Sequence, residues 1–278
     1  MKRLGIVFAL LMLFLTGNME FGLSQPAAEV ELTGIRQPPI ESLKKHFFEL
    51  RPEISYRVYK EPGFKEKGIM YGIIGSYAYH NKLMLKVEGK GSWGHMDYSN
   101  SVEINNIDDY IVEFRGLGGY DFSISKGLTI TPYTGIGYRY LNDGMHKKYS
   151  KGYERESNYI YSPIGIALIA NFKNNWAIEE IIEYDYFWWG RQKSHLSDVD
   201  PGYNDISNRQ RKGYGSRVSI TLQKKGKKVD FGIGPFIKHW NIKKSEIETL
   251  TYYGSFVDSF WEPKNNTTEF GIMGAVKF

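Results

Sequence analysis

The sequence predicts an all-β protein, a ten-stranded antiparallel transmembrane β-barrel with short turns at one end and long loops at the other. Three observations lead to this prediction. Apolar residues recur at every second position from about residue 51 onward, which is the spacing of side chains on one face of a strand. The connections between these segments alternate between short and long. The face opposite the apolar one carries charges of both signs.

The composition of the 278-residue chain agrees with a β-rich protein. It contains 21 Tyr, 16 Phe, 6 Trp and 30 Gly but no Cys. Aromatic residues favour strands, and a lack of Cys suits a protein that avoids disulfide chemistry in an oxidising compartment. The formal net charge of +5 is not arranged as a basic stripe interleaved with aromatic residues. No nucleic-acid partner is therefore predicted.

Residues 1–24 are predicted to be a cleaved signal peptide. Lys2 and Arg3 precede an apolar run from Leu4 to Leu15, and small residues at positions 22 and 24 offer a cleavage site. This is the order of features in a secretory signal. The run is shorter than the roughly 20 residues that a membrane-spanning helix requires. The chain is therefore expected to be exported.

The mature chain is predicted to have two parts. Residues 25–50 contain three prolines and are interpreted as an N-terminal periplasmic extension. Residues 51–278 are interpreted as the barrel. Ten segments with alternating apolar residues are candidates for its strands, and the segment at 158–170 is apolar on both faces, so its orientation stays open. In chain order they lie at about 54–58, 71–79, 83–87, 110–122, 128–140, 158–170, 176–188, 214–222, 229–237 and 265–278.

The connections place both chain ends and the short turns at one end of the barrel. Short connections are predicted near 80–82, 125–127, 171–175 and 223–227. Long connections are predicted near 61–66, 95–108, 142–157, 190–212 and 242–264. Barrels of bacterial outer membranes show this sorting of loop lengths, with the long loops outside the cell.

The charged face of the strands is predicted to line the lumen. So many aromatic rings would be hard to pack inside a small barrel, because protein interiors are tightly packed. The rings are therefore expected to face lipid, and each charge inside then needs a partner. Ten strands enclose a narrower lumen than that of a porin, so the lumen is expected to be filled by an ion-pair network. Its predicted members are Glu113, Arg115, Arg139, Glu183, Asp185 and Arg217. The same charged face also carries Glu88, Lys90, Lys238 and Glu269.

The last predicted strand carries Phe270, Ile272, Val276 and Phe278 on one face. Backbone groups cannot stay unpaired in hydrocarbon, so this strand must pair with the first one. Here the chain resembles bacterial outer-membrane β-barrel proteins, whose final strand commonly ends in Phe after alternating apolar residues. The resemblance implies that the protein lies in the outer membrane. It also implies that these four residues form the insertion signal that the barrel-assembly machinery reads.

The favoured function is non-enzymatic, with a structural, surface-interaction or narrow-pore role. Basic residues in the loops near 142–157 and 190–212 are expected to attract lipopolysaccharide phosphates at the outer leaflet. Outer-membrane lipid and lipopolysaccharide are therefore the predicted partners. No cofactor and no metal are predicted, because the cluster Asp198–Asp205 is interpreted as a turn rich in Asp and Asn rather than a calcium loop.

The alternative is an outer-membrane hydrolase, either a lipid deacylase or a protease similar to the omptins. Omptins also have ten strands, and they carry Asp-x-Asp and Asp-x-His pairs at the outer rim. This sequence has His95-x-Asp97 and Asp198-x-Asp200, with His195 nearby, but the order of residues and loops differs from the omptin pattern. An enzyme would need His95 or His195 beside an Asp in a cleft.

Overall fold

The computed structural model describes residues 45–100 and 102–278. These residues form fourteen strands and three 3₁₀ turns (Met145–Lys147, Lys173–Asn175 and Leu196–Asp198). The strands are β1 (His46–Glu61), β2 (Phe64–Asn81), β3 (Leu83–Ser99), β4 (Glu103–Tyr120), β5 (Phe122–Ser125), β6 (Leu128–Asp143), β7 (Arg155–Asn171), β8 (Trp176–Ser194), β9 (Ile206–Gln210), β10 (Gly213–Lys224), β11 (Asp230–Ile242), β12 (Glu248–Tyr252), β13 (Ser255–Phe260) and β14 (Asn265–Lys277).

The two N-terminal regions predicted from the sequence lie mostly outside the described residues. The signal peptide predicted at 1–24 and most of the extension predicted at 25–50 lie outside the described residues. Strand β1 begins at His46, inside the predicted extension, so the barrel starts earlier than the predicted residue 51. Among the described residues, no helix is long and apolar enough to cross a membrane.

The sheet closes into a barrel because β14 pairs with β1 on one side and with β11 on the other. Strands β4 and β5 are successive parts of one wall strand, and so are β9 and β10, which both pair with β8. With each of these couples counted once, the wall has ten antiparallel strands. The predicted ten-stranded antiparallel barrel is confirmed.

The outer surface of the barrel carries a belt of apolar side chains. Each of the ten wall strands contributes to it, with exposed fractions between 41% and 63% for one chosen residue from each strand. These residues are Ile54, Ile73, Val87, Phe114, Ile136, Ile164, Ile182, Leu222, Ile233 and Ile272. Such a band is the surface that a transmembrane barrel presents to lipid.

Two of the predicted long connections are wrong. A two-residue turn with Gly63 at φ 98° joins β1 to β2. Strand β3 runs to Ser99 and β4 begins at Glu103. Beyond the apolar belt, the apolar side chains point inward and the polar ones point outward. Met96 and Ile107, for example, are buried inside the barrel. The strands therefore continue past the point where the lipid-facing pattern stops, and they extend above the membrane.

Candidate functional site in the barrel lumen

The middle of the lumen is crossed by charged side chains from opposite walls. Arg115 on β4 donates from Nη1 to both carboxylate oxygens of Glu183 on β8, at 2.7 and 2.9 Å. Its Nε donates to Oε1 of Glu88 on β3 at 3.0 Å. The Tyr133 hydroxyl donates to Glu183 Oε2 at 2.8 Å. Every oxygen of the Glu183 carboxylate is therefore engaged.

Arg217 on β10 joins three carboxylates in the same layer. Its Nε lies 2.9 Å from Glu183 Oε1 and 3.2 Å from Asp185 Oδ2, and its Nη2 pairs with Glu113. Arg139 Nη1 lies 3.7 Å from Glu113 Oε2. The six residues of the predicted lumen network thus come together, and all six point into the lumen.

A second group of paired charges combines residues of the predicted charged face with three that the sequence analysis missed, Glu49, Arg51 and Glu53. Glu53 on β1 pairs with Lys90 and with Lys238, whose Nζ lies 3.0 Å from Glu53 Oε2. Lys90 Nζ also lies 3.2 Å from Glu269 Oε1. Arg51 contacts both Glu49 and Glu88. Extending the two-residue period backward from Arg57 places Arg51, Glu53 and Glu49 on the lumen face, so the signal was present in the sequence.

Aromatic rings close the lumen above the charges. Tyr159, Tyr161, Phe187, Trp240 and Ile242 form a buried cluster. The Arg139 guanidinium lies 5.4 Å from the centre of the Trp240 ring, within the range of a cation–π contact. The inward-facing rings sit where the wall rises above the apolar belt, so the interior there is that of a packed core.

Gly137 on β6 allows this plug to form. A Cβ atom at Gly137 would lie 2.3 Å from Cζ of Tyr161, a distance that packed atoms cannot adopt. The missing side chain leaves the space that the Tyr161 ring fills, and its hydroxyl donates to Glu113. A cavity of about 30 Å³ remains between the plug and the outer charges, which is room for roughly two water molecules.

The outer end of the lumen holds an acidic group around one arginine. Arg155, which falls inside the predicted loop at 142–157, is the first residue of β7, and its side chain is 11% exposed. Its Nη2 lies 2.7 Å from Asp143 and 3.1 Å from Glu66, and its Nη1 lies 3.4 Å from Glu61. Arg155 therefore acts as an inward cation rather than as a surface charge.

Glu262 fixes the connection from β11 to β14 onto the barrel end. It lies in the outer connection and is 3% exposed. Its Oε1 accepts a hydrogen bond from Ser194 Oγ at 2.9 Å, and its backbone pairs with Ser245. Burial raises the pKa of Glu262 to about 7; Arg155 and the Ser194 bond lower it, and Glu61 raises it further. The carboxyl is thus tuned to titrate near neutral pH.

His95 and Asp97 do not form the predicted rim site. Both lie on strand β3 rather than in a loop. His95 Nδ1 contacts Asp108 Oδ1 at 3.0 Å, with side chains 66% and 46% exposed. Asp97 accepts a hydrogen bond from the backbone N–H of Asn106 at 3.1 Å. The pair sits on the outside of the barrel wall, and not in a cleft.

His195 meets two carboxylates that the sequence analysis did not select. Its Nε2 lies 3.2 Å from Glu156 Oε2 and its Nδ1 lies 3.3 Å from Asp205 Oδ2. Partial burial works to raise the pKa of Asp205, but hydrogen bonds from the side chain and backbone of Ser197 outweigh it and hold that pKa below its ordinary value. Tertiary folding brings these groups together, and no sequence spacing marks them.

The side chains of Asp198 and Asp200 accept hydrogen bonds from backbone N–H groups of the outer connections. Asp198 Oδ2 accepts a hydrogen bond from the backbone N–H of Glu154 at 2.9 Å. Asp200 Oδ1 accepts one from the backbone N–H of Gly202 at 2.8 Å. Within residues 45–100 and 102–278, neither forms an ion pair with His195. The predicted catalytic set is therefore not assembled at one place.

The residues of the predicted insertion signal lie along the seam between the last and first strands. Phe270, Ile272 and Phe278 are exposed on the lipid side, at 45–54%. The backbone N–H of Phe278 donates to the carbonyl oxygen of Phe48 at 2.8 Å. This pairing ties the final residue into the barrel wall.

Comparison with known proteins identifies the family. The model of the autotransporter beta-domain matches residues 63–221, more than half of the chain. The chain belongs to the autotransporter beta-domain family. No curated protein sequence matches it. The family and the fold place this member of the autotransporter beta-domain family in the bacterial outer membrane.

Solved structures with the same kind of fold are distant in sequence. The outer membrane protease OmpT of Escherichia coli is 8% identical, with a TM-score of 0.60, over 85% of this chain and 97% of OmpT. The translocator domain of the autotransporter NalP from Neisseria meningitidis is 9% identical, with a TM-score of 0.42, over 84% of this chain and 89% of NalP. The attachment invasion locus protein Ail of Yersinia pestis is 12% identical, with a TM-score of 0.31, over 84% of this chain and 99% of Ail. At 8% identity the likeness to OmpT shows the fold alone.

Proposed function

We propose that this protein is a non-enzymatic outer-membrane barrel with a sealed lumen, anchored in the lipopolysaccharide leaflet, whose role is a surface interaction at the extracellular end. The observation that carries the proposal is the filled lumen. Two groups of paired charges and the ring cluster above them fill the lumen. Buried ion pairs resist opening, because separating one strands an uncompensated charge. A narrow-pore role receives less support from this arrangement.

Export by a cleaved signal peptide at residues 1–24 is part of this proposal. So is recognition of Phe270, Ile272, Val276 and Phe278 by the barrel-assembly machinery during insertion. The alternating exposure of these side chains on the lipid face supports that role.

The hydrolase alternative receives less support from the geometry. A general base needs a ring nitrogen that can take a proton from a substrate or water. Both ring nitrogens of His195 face carboxylates instead. His95 lies on the outer wall, away from any lumen group.

A solute-permeability assay tests the sealed lumen. Liposomes that contain the purified protein should swell in an isotonic sugar solution no faster than empty liposomes, because paired charges and packed rings occupy the lumen. A sixteen-stranded porin reconstituted in the same way provides the positive control. Swelling at a rate close to that of the porin would contradict the proposal.

Contact with lipopolysaccharide is supported by basic side chains just beyond the outer aromatic residues. Arg191 on β8 and Arg209 on β9 are cross-strand partners on the outer face and are exposed. Trp188, three residues before Arg191, is 58% exposed on the lipid side. Trp at this depth marks the membrane interface, so the two guanidinium groups lie at the level of lipid phosphates.

Replacing Arg191 and Arg209 together with Gln is expected to weaken binding of lipopolysaccharide by roughly 30-fold, at about 1 kcal/mol for each charge. The measurement is the affinity of the detergent-purified protein for lipopolysaccharide micelles at low salt. The matched control replaces Lys126 and Lys173, two exposed basic residues at the periplasmic end, and removes the same charge. Equal losses in the two double variants would show a general charge effect and contradict the proposed contact.

A further inference from the structure

A second group of polar side chains lies between two extracellular connections. His146 belongs to the connection from β6 to β7, in the 3₁₀ turn Met145–Lys147, and Glu154 ends the same connection. Asp198 closes the 3₁₀ turn Leu196–Asp198 of the connection from β8 to β9. One ring nitrogen of His146 and one carboxylate oxygen from each acid all lie within 4.8 Å of one another. None of the three residues belongs to the lumen network.

One ring nitrogen of His146 has no hydrogen-bond partner among the described residues. This atom, Nδ1, is buried. The nearest paired oxygen, Asp198 Oδ2, is 3.9 Å away, which is too long for a hydrogen bond. Buried polar atoms are almost always partnered. Two ligands of one zinc ion, each about 2.0–2.2 Å from it, lie roughly 3–4 Å apart, so this spacing fits a shared metal ion.

Hydrogen bonds tie together the two connections that carry the acidic groups. The N–H of His195 donates to the carbonyl oxygen of Glu154 at 3.0 Å, and the N–H of Glu154 donates to Asp198 Oδ2 at 2.9 Å. The Asp198 carboxylate is therefore fixed by the neighbouring connection, and the Glu154 carboxylate accepts a hydrogen bond from the side chain of Asn142.

We propose that His146, Glu154 and Asp198 form a binding site for a divalent transition metal of the zinc class at the extracellular end of the barrel. One imidazole with two carboxylates is a donor set that Zn²⁺ accepts, whereas Ca²⁺ takes oxygen ligands only. Three protein ligands leave a further coordination position for water or for a group on another molecule. The bound ion links the two connections and gives the cell-surface end a fixed shape. This site departs from the absence of metal that the sequence predicts.

Calorimetric titration of the full-length protein in detergent with Zn²⁺ tests the site, with a purification tag that contains no histidine. The wild type should bind one ion, and His146→Ala should weaken binding by about tenfold or more, since it removes one of three ligands. The matched control is His95→Ala, which removes an exposed histidine paired with a single carboxylate, Asp108. It should bind Zn²⁺ as the wild type does.

Three results would overturn the proposal. They are unchanged binding in His146→Ala, an equal loss in His95→Ala, or Ca²⁺ displacing Zn²⁺ at similar concentrations. X-ray absorption of the zinc-loaded wild type gives a measurement that does not depend on the folding of a variant. It should show nitrogen and oxygen ligands with one imidazole. A signal from two or more imidazoles, or the absence of any imidazole, would contradict the assignment.

Discussion

Replacing Arg217 with Met is expected to lower the free energy of unfolding by about 3–5 kcal/mol, the cost of leaving a buried ion pair with one partner. Arg217 contacts Glu113, Glu183 and Asp185 at once. Within the described part of the chain, it is the one cation that forms an ion pair with Asp185. Met fills a similar volume but supplies no charge, so three carboxylates then face one another with less compensation. Urea unfolding in detergent micelles, followed by tryptophan fluorescence, measures the change.

The control for this substitution is Arg211→Met. Arg211 forms an ion pair with one carboxylate, Glu246, and the two side chains are 59% and 43% exposed. Exposed pairs contribute less than about 1 kcal/mol. If Arg217→Met and Arg211→Met lost equal stability, the lumen network would not hold the barrel together.

Replacing Glu262 with Gln is expected to remove a pH dependence from the outer connection at 243–264. The fold raises the pKa of Glu262 from 4.5 to about 7, so the folded state favours the protonated carboxyl. That contribution is fully present below pH 4.5 and is lost as the pH rises through 7. Its size is on the order of 3 kcal/mol. Gln keeps a neutral group at every pH, so the variant should hold the connection more firmly than the wild type at pH 8.5.

Hydrogen exchange at the backbone of Ser245 and Glu262, corrected for the intrinsic effect of pH, measures this opening. The wild type should open more readily at pH 8.5 than at pH 5, and Glu262→Gln should not. Glu248→Gln alters an exposed carboxyl on β12 of the same connection and should keep the wild-type dependence. An unchanged pH dependence in Glu262→Gln would contradict the role assigned to this side chain.

The lumen network could be predicted because strands obey a strict two-residue period. Glu113 and Arg115, or Glu183 and Asp185, are separated by two positions and share a face whatever the rest of the fold does. When ten such strands close into a barrel with the apolar face toward lipid, the charged face can point only into the lumen. Glu49, Arg51 and Glu53 were missed because the first strand was predicted to begin near residue 54, whereas β1 begins at His46.

The outer half of the barrel was less predictable because the face that carries the apolar side chains changes along each strand. Within the membrane the apolar face points outward, but above it the wall meets water and the apolar side chains point inward. Met96 and Ile107 follow the second of these two rules, so a prediction based on the first rule ends β3 too early and begins β4 too late. A register shift after Ile160 also changes the alternation where β7 pairs with β8.

Contacts between separate connections were beyond reach of the sequence. His195 meets Glu156 and Asp205, while His146 approaches Glu154 and Asp198. Each group is assembled where one connection packs against another connection or against a neighbouring strand at the barrel end. Their spacing along the chain carries no period or motif, so only the folded structure reveals them.

Thiol labelling of a cysteine placed inside the barrel tests most directly whether paired charges seal the lumen. The chain has no Cys, so Ser92→Cys introduces a single thiol. Ser92 is 3% exposed, and its hydroxyl has no hydrogen-bond partner among the described residues, so the change is mild. The folded Ser92→Cys protein should resist a water-soluble maleimide until it is unfolded, while Ser255→Cys on the exposed hairpin should react at once. Reaction of both thiols at similar rates would contradict a sealed lumen.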